Sequence, residues 1–89
     1  MQEEIQKLSE ELKQKDTSLT LLEARSWVEL LWEDFEASRA KAGREYEGAD
    51  ITAKFVRHFI DQYGSNLTDF ATRYPKYQQM IDKSNKTIH

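Results

Sequence analysis

His58-Phe59-Ile60-Asp61 sets an imidazole one helical turn from a carboxylate, a spacing at which an acid can orient a general base. Glu29, Glu33 and Glu36 share one face of a helix, and grouped acids can serve acid–base work or hold a metal ion. Each pattern stops short of a site. No serine or second histidine is tied to His58 by spacing, because the other histidine is the terminal His89. A di-metal helical bundle uses Glu-x-x-His pairs, and neither histidine has a glutamate three residues before it. The three glycines, at 43, 48 and 64, are too scattered to cradle a phosphate. With no cysteine in the chain, thiol catalysis and thiolate metal sites are excluded. The expectation is a protein with no catalytic residue, no metal and no cofactor, in which the three glutamates form a solvated face and His58 stands on a polar surface.

The elements that position these residues read as helices. Thr20-Leu21-Leu22-Glu23 has the form of a capping box, with the threonine oxygen meeting an amide of the first turn and the glutamate reaching back. Gly43 suits the position just past a helix end, and Arg39, Lys41 and Arg44 lie where the negative end of the dipole favours cations. The span 21–42 is therefore predicted as one helix, about 33 Å long at 1.5 Å per residue, the diameter of a small domain. Stepping about 100° per residue gathers Leu21, Ala24, Trp27, Val28, Leu31, Trp32 and Phe35 into one arc of about 140°. Leu22 and Leu30 fall outside that arc and flank Ser26 and Glu33 on a second, mixed face. Leu22, Ser26, Leu30 and Glu33 are the candidate partner-contact residues.

Residues 2–15 carry a thin stripe, Ile5, Leu8 and Leu12, on an otherwise polar helix. Such a stripe predicts a helix lying on the domain surface, loosely docked. Two sources of cover exist for Leu22 and Leu30: this helix folding back through "KDTSLT", or an apolar helix face supplied by a partner. After the linker "GREYEGAD", Asp50 or Thr52 can cap a helix over roughly 52–63 that ends at Gly64, with Val56, Phe59, Ile60 and Tyr63 as its stripe and Phe55 at the edge. Ser65 or Asn66 then caps a short helix with Leu67, Phe70 and Ala71, which must end near Tyr74 because Pro75 disfavours helix in its predecessor. Pro75 can open a last turn with Tyr77, Met80 and Ile81. Residues 1–84 read as a single domain and 85–89 as a frayed tail.

Composition sets the outer bounds. Eighty-nine residues support one modest core, and 33% charged with 38% hydrophobic residues suits a folded, well-hydrated domain. Three glycines and one proline leave little turn material for a many-stranded sheet. The polar N-terminus MQEEIQKLSE does not read as a signal peptide, and no apolar run approaches the roughly 20 residues of a membrane span. Together with the absence of cysteine this points to the cytoplasm. The net charge of −3 is spread as ten acids against six bases over 1–42, four against three over 43–64 and two against four over 65–89. No segment forms the basic stripe of a strong nucleic-acid binder. A short helix after a tight turn has helix-turn-helix connectivity, and Lys54, Arg57, Arg73, Lys76 and Lys83 can meet phosphates, yet "NLTDFATRY" offers an acid and apolar groups where base-reading side chains belong.

The run Trp27 to Gly43, WVELLWEDFEASRAKAG, with FIDQYG at 59–64, resembles the WVELL family of small proteins from Gram-positive bacilli, named for the pentapeptide that stands here at 27–31. The resemblance implies a bacterial cytoplasmic protein and brings no assigned activity and no catalytic residue. The fold expected is all-α, a compact domain of four or five helices around the 21–42 spine. Its core is expected to hold Trp27, Val28, Leu31, Phe35, Val56, Phe59, Ile60, Leu67 and Phe70. The expected function is a non-catalytic protein–protein interaction module, acting on a protein partner or on a second copy of itself; the alternative is a weak nucleic-acid-associated regulator.

Overall fold

The computed structural model describes residues 2–41 and 48–78, and among them it holds helices and no strand. Four α-helices follow one another: α1 (Gln2–Lys15), α2 (Leu21–Lys41), α3 (Ala49–Tyr63) and α4 (Leu67–Arg73), closed by a 3-10 turn at Pro75–Tyr77. The fold is all-α, as the sequence predicts. The cap expected at Gly43, the cation at Arg44, the last turn with Met80 and Ile81, and the tail 85–89 lie outside the described residues.

α2 starts where its capping box places it. The Thr20 amide donates to Glu23 Oε1 at 2.8 Å, and the Glu23 amide donates to Thr20 Oγ1 at 3.1 Å, so two orphan donors of the first turn are satisfied reciprocally. α3 begins at Ala49, three residues earlier than the expected start, because Gly48 takes φ 99° and turns the chain directly into the helix. Thr52, expected as a possible cap, is instead buried within the helix. The helix ends at Gly64 as expected, in a right-handed conformation whose amide donates to the Ile60 carbonyl. A Cβ at position 64 would stand 2.4 Å from that carbonyl oxygen and 3.0 Å from Lys15 Cβ, so glycine is what lets α3 and α1 end side by side. Asn66 is the residue before α4, and α4 stops at Arg73 ahead of Pro75, which opens the 3-10 turn.

The core joins α1, α2 and α3. Leu8, Leu12, Val28, Val56 and Ile60 have no exposed surface, and Trp27 and Leu31 have almost none. α1 is docked through the stripe predicted from the sequence, and Ile5, Leu8 and Leu12 are all core residues. A three-residue stripe suffices because α1 packs against both α2 and α3, so each anchor has neighbours on two sides. Ser9 is fully buried between the anchors, small enough for close helix approach, and its hydroxyl donates to the Ile5 carbonyl at 2.6 Å. Polar ties fix the register: Arg25 donates to Gln2 Oε1 at 2.5 Å, and Arg57 clasps both oxygens of Glu11 at 3.1 Å. The Glu11 contact raises the Arg57 pKa, favouring its charged form.

α4 and the 3-10 turn form a second, aromatic layer over the other side of α2 and α3. Phe70 is its hub, with ring centroids 4.5 Å from Phe59, 4.7 Å from Tyr74, 5.0 Å from Tyr77, 5.2 Å from Tyr63 and 6.4 Å from Trp27. Tyr77 stacks flat on Trp27, with centroids 5.6 Å apart and planes 3° from parallel. These offset and edge-on geometries are the favoured ones for aromatic pairs. Two expectations for the spine change here. Leu21 is 40% exposed in the first turn of α2, and Phe35 is half-buried where it borders an open groove.

Candidate functional site

The groove is built by helical spacing on two sides and by the turn on the third. α2 contributes Leu31, Asp34, Phe35 and Ser38, residues that recur at three and four positions and so share a face. α3 contributes Phe55, His58, Phe59 and Tyr63 by the same rule. Phe70 and the segment Tyr74–Tyr77 form the far wall, and the open groove has a volume of about 560 Å³. Phe55 and Tyr74 are 49% and 52% exposed on its rim. Phe35 and Phe55 face each other across the α2–α3 side, with centroids 5.9 Å apart. Volume and aromatic lining both fall within the range of binding clefts.

The polar groups of the groove gather around one carboxylate. Asp34 Oδ1 accepts from the Lys76 ammonium, and Oδ2 accepts from the Tyr77 hydroxyl, which ties the 3-10 turn to the middle of α2. Burial pushes the Tyr77 phenol well above its ordinary pKa, and the hydrogen bond to Asp34 adds to the shift. His58 lines the groove, as an enzymatic reading would require, and so do Ser38 and Asp34. The three do not form a catalytic relay. Asp34 is bonded to Lys76 and Tyr77, and no hydrogen bond links His58 to Ser38, Asp34 or Asp61. Among the described residues no cluster of three His, Asp or Glu side chains is arranged to hold a metal ion.

The residues proposed from the sequence as a contact face are on α2, away from this groove. Leu22 is 75% exposed, and the Ser26 hydroxyl is turned back to the Leu22 carbonyl at 3.1 Å. Leu30 is half-buried and packs against the core, while Glu33 is exposed. The four therefore present one bare leucine among polar groups, and α1, whose stripe lies in the core, does not cover it. Glu29 pairs with Arg25 at 3.1 Å as an ordinary surface ion pair. Of the cations considered for phosphate contact, Lys54 is exposed on α3 with no ion pair among the described residues, Arg57 is held by Glu11, Arg73 pairs with Asp69 at 3.3 Å, and Lys76 is held by Asp34; Lys83 lies outside the described residues.

Sequence reasoning placed Phe35, Phe59 and Phe70 in the core and did not join them with Phe55 and Tyr74 into a surface. One signal was available. Six of the ten aromatic residues lie between positions 55 and 77, more rings than two short helices need for their own burial. No helix among the described residues is long and apolar enough to cross a membrane.

No solved structure matches the chain. It is 38% identical over 85 residues to the "Uncharacterized protein YfhJ" of Bacillus subtilis (strain 168), a comparison that covers 96% of each chain. Residues 3–76 match the family described as WVELL protein, a span that holds α1 to α4 together with nearly all of the groove, and the chain belongs to that family.

Proposed function

We propose that the chain is a non-catalytic protein–protein interaction module of the bacterial cytoplasm, and that its contact surface is the aromatic groove between α2, α3 and the 3-10 turn. One observation carries the reading: Phe55 and Tyr74 stand half-exposed on the rim of an apolar cleft of about 560 Å³. Exposed aromatic rings around a concave surface are the anchors and pockets that partners use. A bacterial relative over nearly the whole length and the absence of cysteine support the compartment. The nucleic-acid alternative has less support, since Arg57 and Arg73 each already face an acid and no segment forms a basic stripe.

The test is a paired capture and melting experiment. Phe55→Ser with Tyr74→Ser should abolish whatever capture the wild-type protein makes from native cells, while the denaturant midpoint shifts by no more than the roughly 0.5 kcal/mol of a surface change. Leu22→Ser should leave capture intact. Capture lost with Leu22→Ser and kept with the rim variant would move the contact surface to the other face of α2. Light scattering of the wild-type protein reports whether the partner is a second copy.

A further inference from the structure

We infer that the groove selects a partner segment in which an apolar or aromatic side chain stands beside an aspartate or glutamate. The inference rests on the groove being the contact surface and adds the chemistry of what enters it. The argument is one of charge complementarity. Among the described residues Asp34 is the one carboxylate in the lining, and each of its oxygens already accepts a hydrogen bond, from Lys76 and from Tyr77. An incoming cation would have to compete with Lys76, which already neutralises that carboxylate. The Lys76 ammonium has three donors and gives one to Asp34, and its side chain is 60% exposed, so two N–H groups face outward. The exposed His58 imidazole, which makes no hydrogen bond to the described residues, offers a further N–H from the α3 wall. An acid seated at the mouth therefore meets donors on two sides while its apolar neighbour lies on the rings below. The whole chain is acidic, at −3, and would weakly repel such a segment at a distance. Screening confines that repulsion to about 8 Å at physiological ionic strength, so the local donors decide.

Two dyes that differ by a single anion reduce the proposed epitope to its chemistry. 8-Anilinonaphthalene-1-sulfonate carries an aromatic body and one negative charge, and N-phenyl-1-naphthylamine is the same body without the charge. Fluorescence titration of the full chain should show both binding, and both weakened at least tenfold by Phe55→Ser with Tyr74→Ser. His58→Gln with Lys76→Gln should weaken the anionic dye about fivefold to tenfold and leave the neutral dye within twofold. Lys76→Arg, which keeps the charge and the Asp34 partner, should leave both within twofold. If the two dyes respond alike to the His58 and Lys76 changes, acid selection is overturned and the groove stands as a contact surface. If neither dye binds, or neither responds to the rim variant, the groove itself is overturned. A circular-dichroism melt of each variant confirms that folded protein is being titrated.

Discussion

Leu31 and Glu33 lie two residues apart in α2 and occupy opposite environments, the first 1% exposed in the core and the second on the surface. Leu31→Ala removes a side chain from a packed interior, so it should cost about 2–5 kcal/mol, while Glu33→Ala should cost well under about 1 kcal/mol. Denaturant melts of the two variants check this directly, and equal small effects would mean that the WVELL pentapeptide is not a core element. Trp32 shows that burial is not uniformly favourable at this scale. Its ring is 2% exposed, yet the indole N–H finds no acceptor among the described residues, which the apolar area of the ring must offset.

The element whose role changes most between sequence and structure is α1. Read alone, Ile5, Leu8 and Leu12 are three anchors on a polar helix, and an isolated helix of 14 residues is marginal in water. Docked against two helices, the same three residues are core, and Ser9 and the Arg57–Glu11 clasp hold the register. A chain lacking residues 1–15 would bare apolar surface on both α2 and α3 at once. It should therefore lose cooperative unfolding and stay collapsed and sticky, not form a smaller folded domain with one exposed patch. A thermal melt followed by near-ultraviolet circular dichroism decides between these, because a surviving domain would keep both its aromatic signal and a sharp transition.

At the scale of the molecule, the aromatic layer is attached to the helical core by stacking and by the polar latch at Asp34, which accepts from both Lys76 and Tyr77. Tyr77 lies on Trp27, and its hydroxyl donates to Asp34 in the middle of α2. The pKa shift of this phenol links the latch to global stability. Its ordinary value is 10.0, which serves for the unfolded chain, and the folded value is raised by burial first and by Asp34 second. Above pH 10 the unfolded state therefore binds fewer protons than the folded one, so stability falls as pH rises from there towards the folded value. Below pH 10 the contribution is fully present. Tyr77→Phe should lower stability at pH 7 by about 0.5–1.5 kcal/mol, the worth of a hydrogen bond, and should flatten the decline between pH 10 and 11 relative to the wild type. Denaturant midpoints measured across that window test both signs; parallel declines in the two proteins would exclude Tyr77 as the group responsible.

What the sequence by itself determined is local. The Thr20–Glu23 box starts α2, Gly64 ends α3 and Pro75 ends α4, because each acts through backbone atoms within four residues. Periodicity likewise identified Trp27, Val28, Leu31, Val56 and Ile60 as buried, since a face of large apolar residues has to be covered by something. Tertiary structure decided which helix covers which. It brought α1 into the core, where a thin stripe gains two neighbours, and left Leu22 bare although it is as apolar as Leu8. It also made the groove, whose walls come from positions as far apart as Leu31 and Tyr77. Rings at such separations meet only when the helices have docked, and no spacing along the chain encodes the angle at which they do.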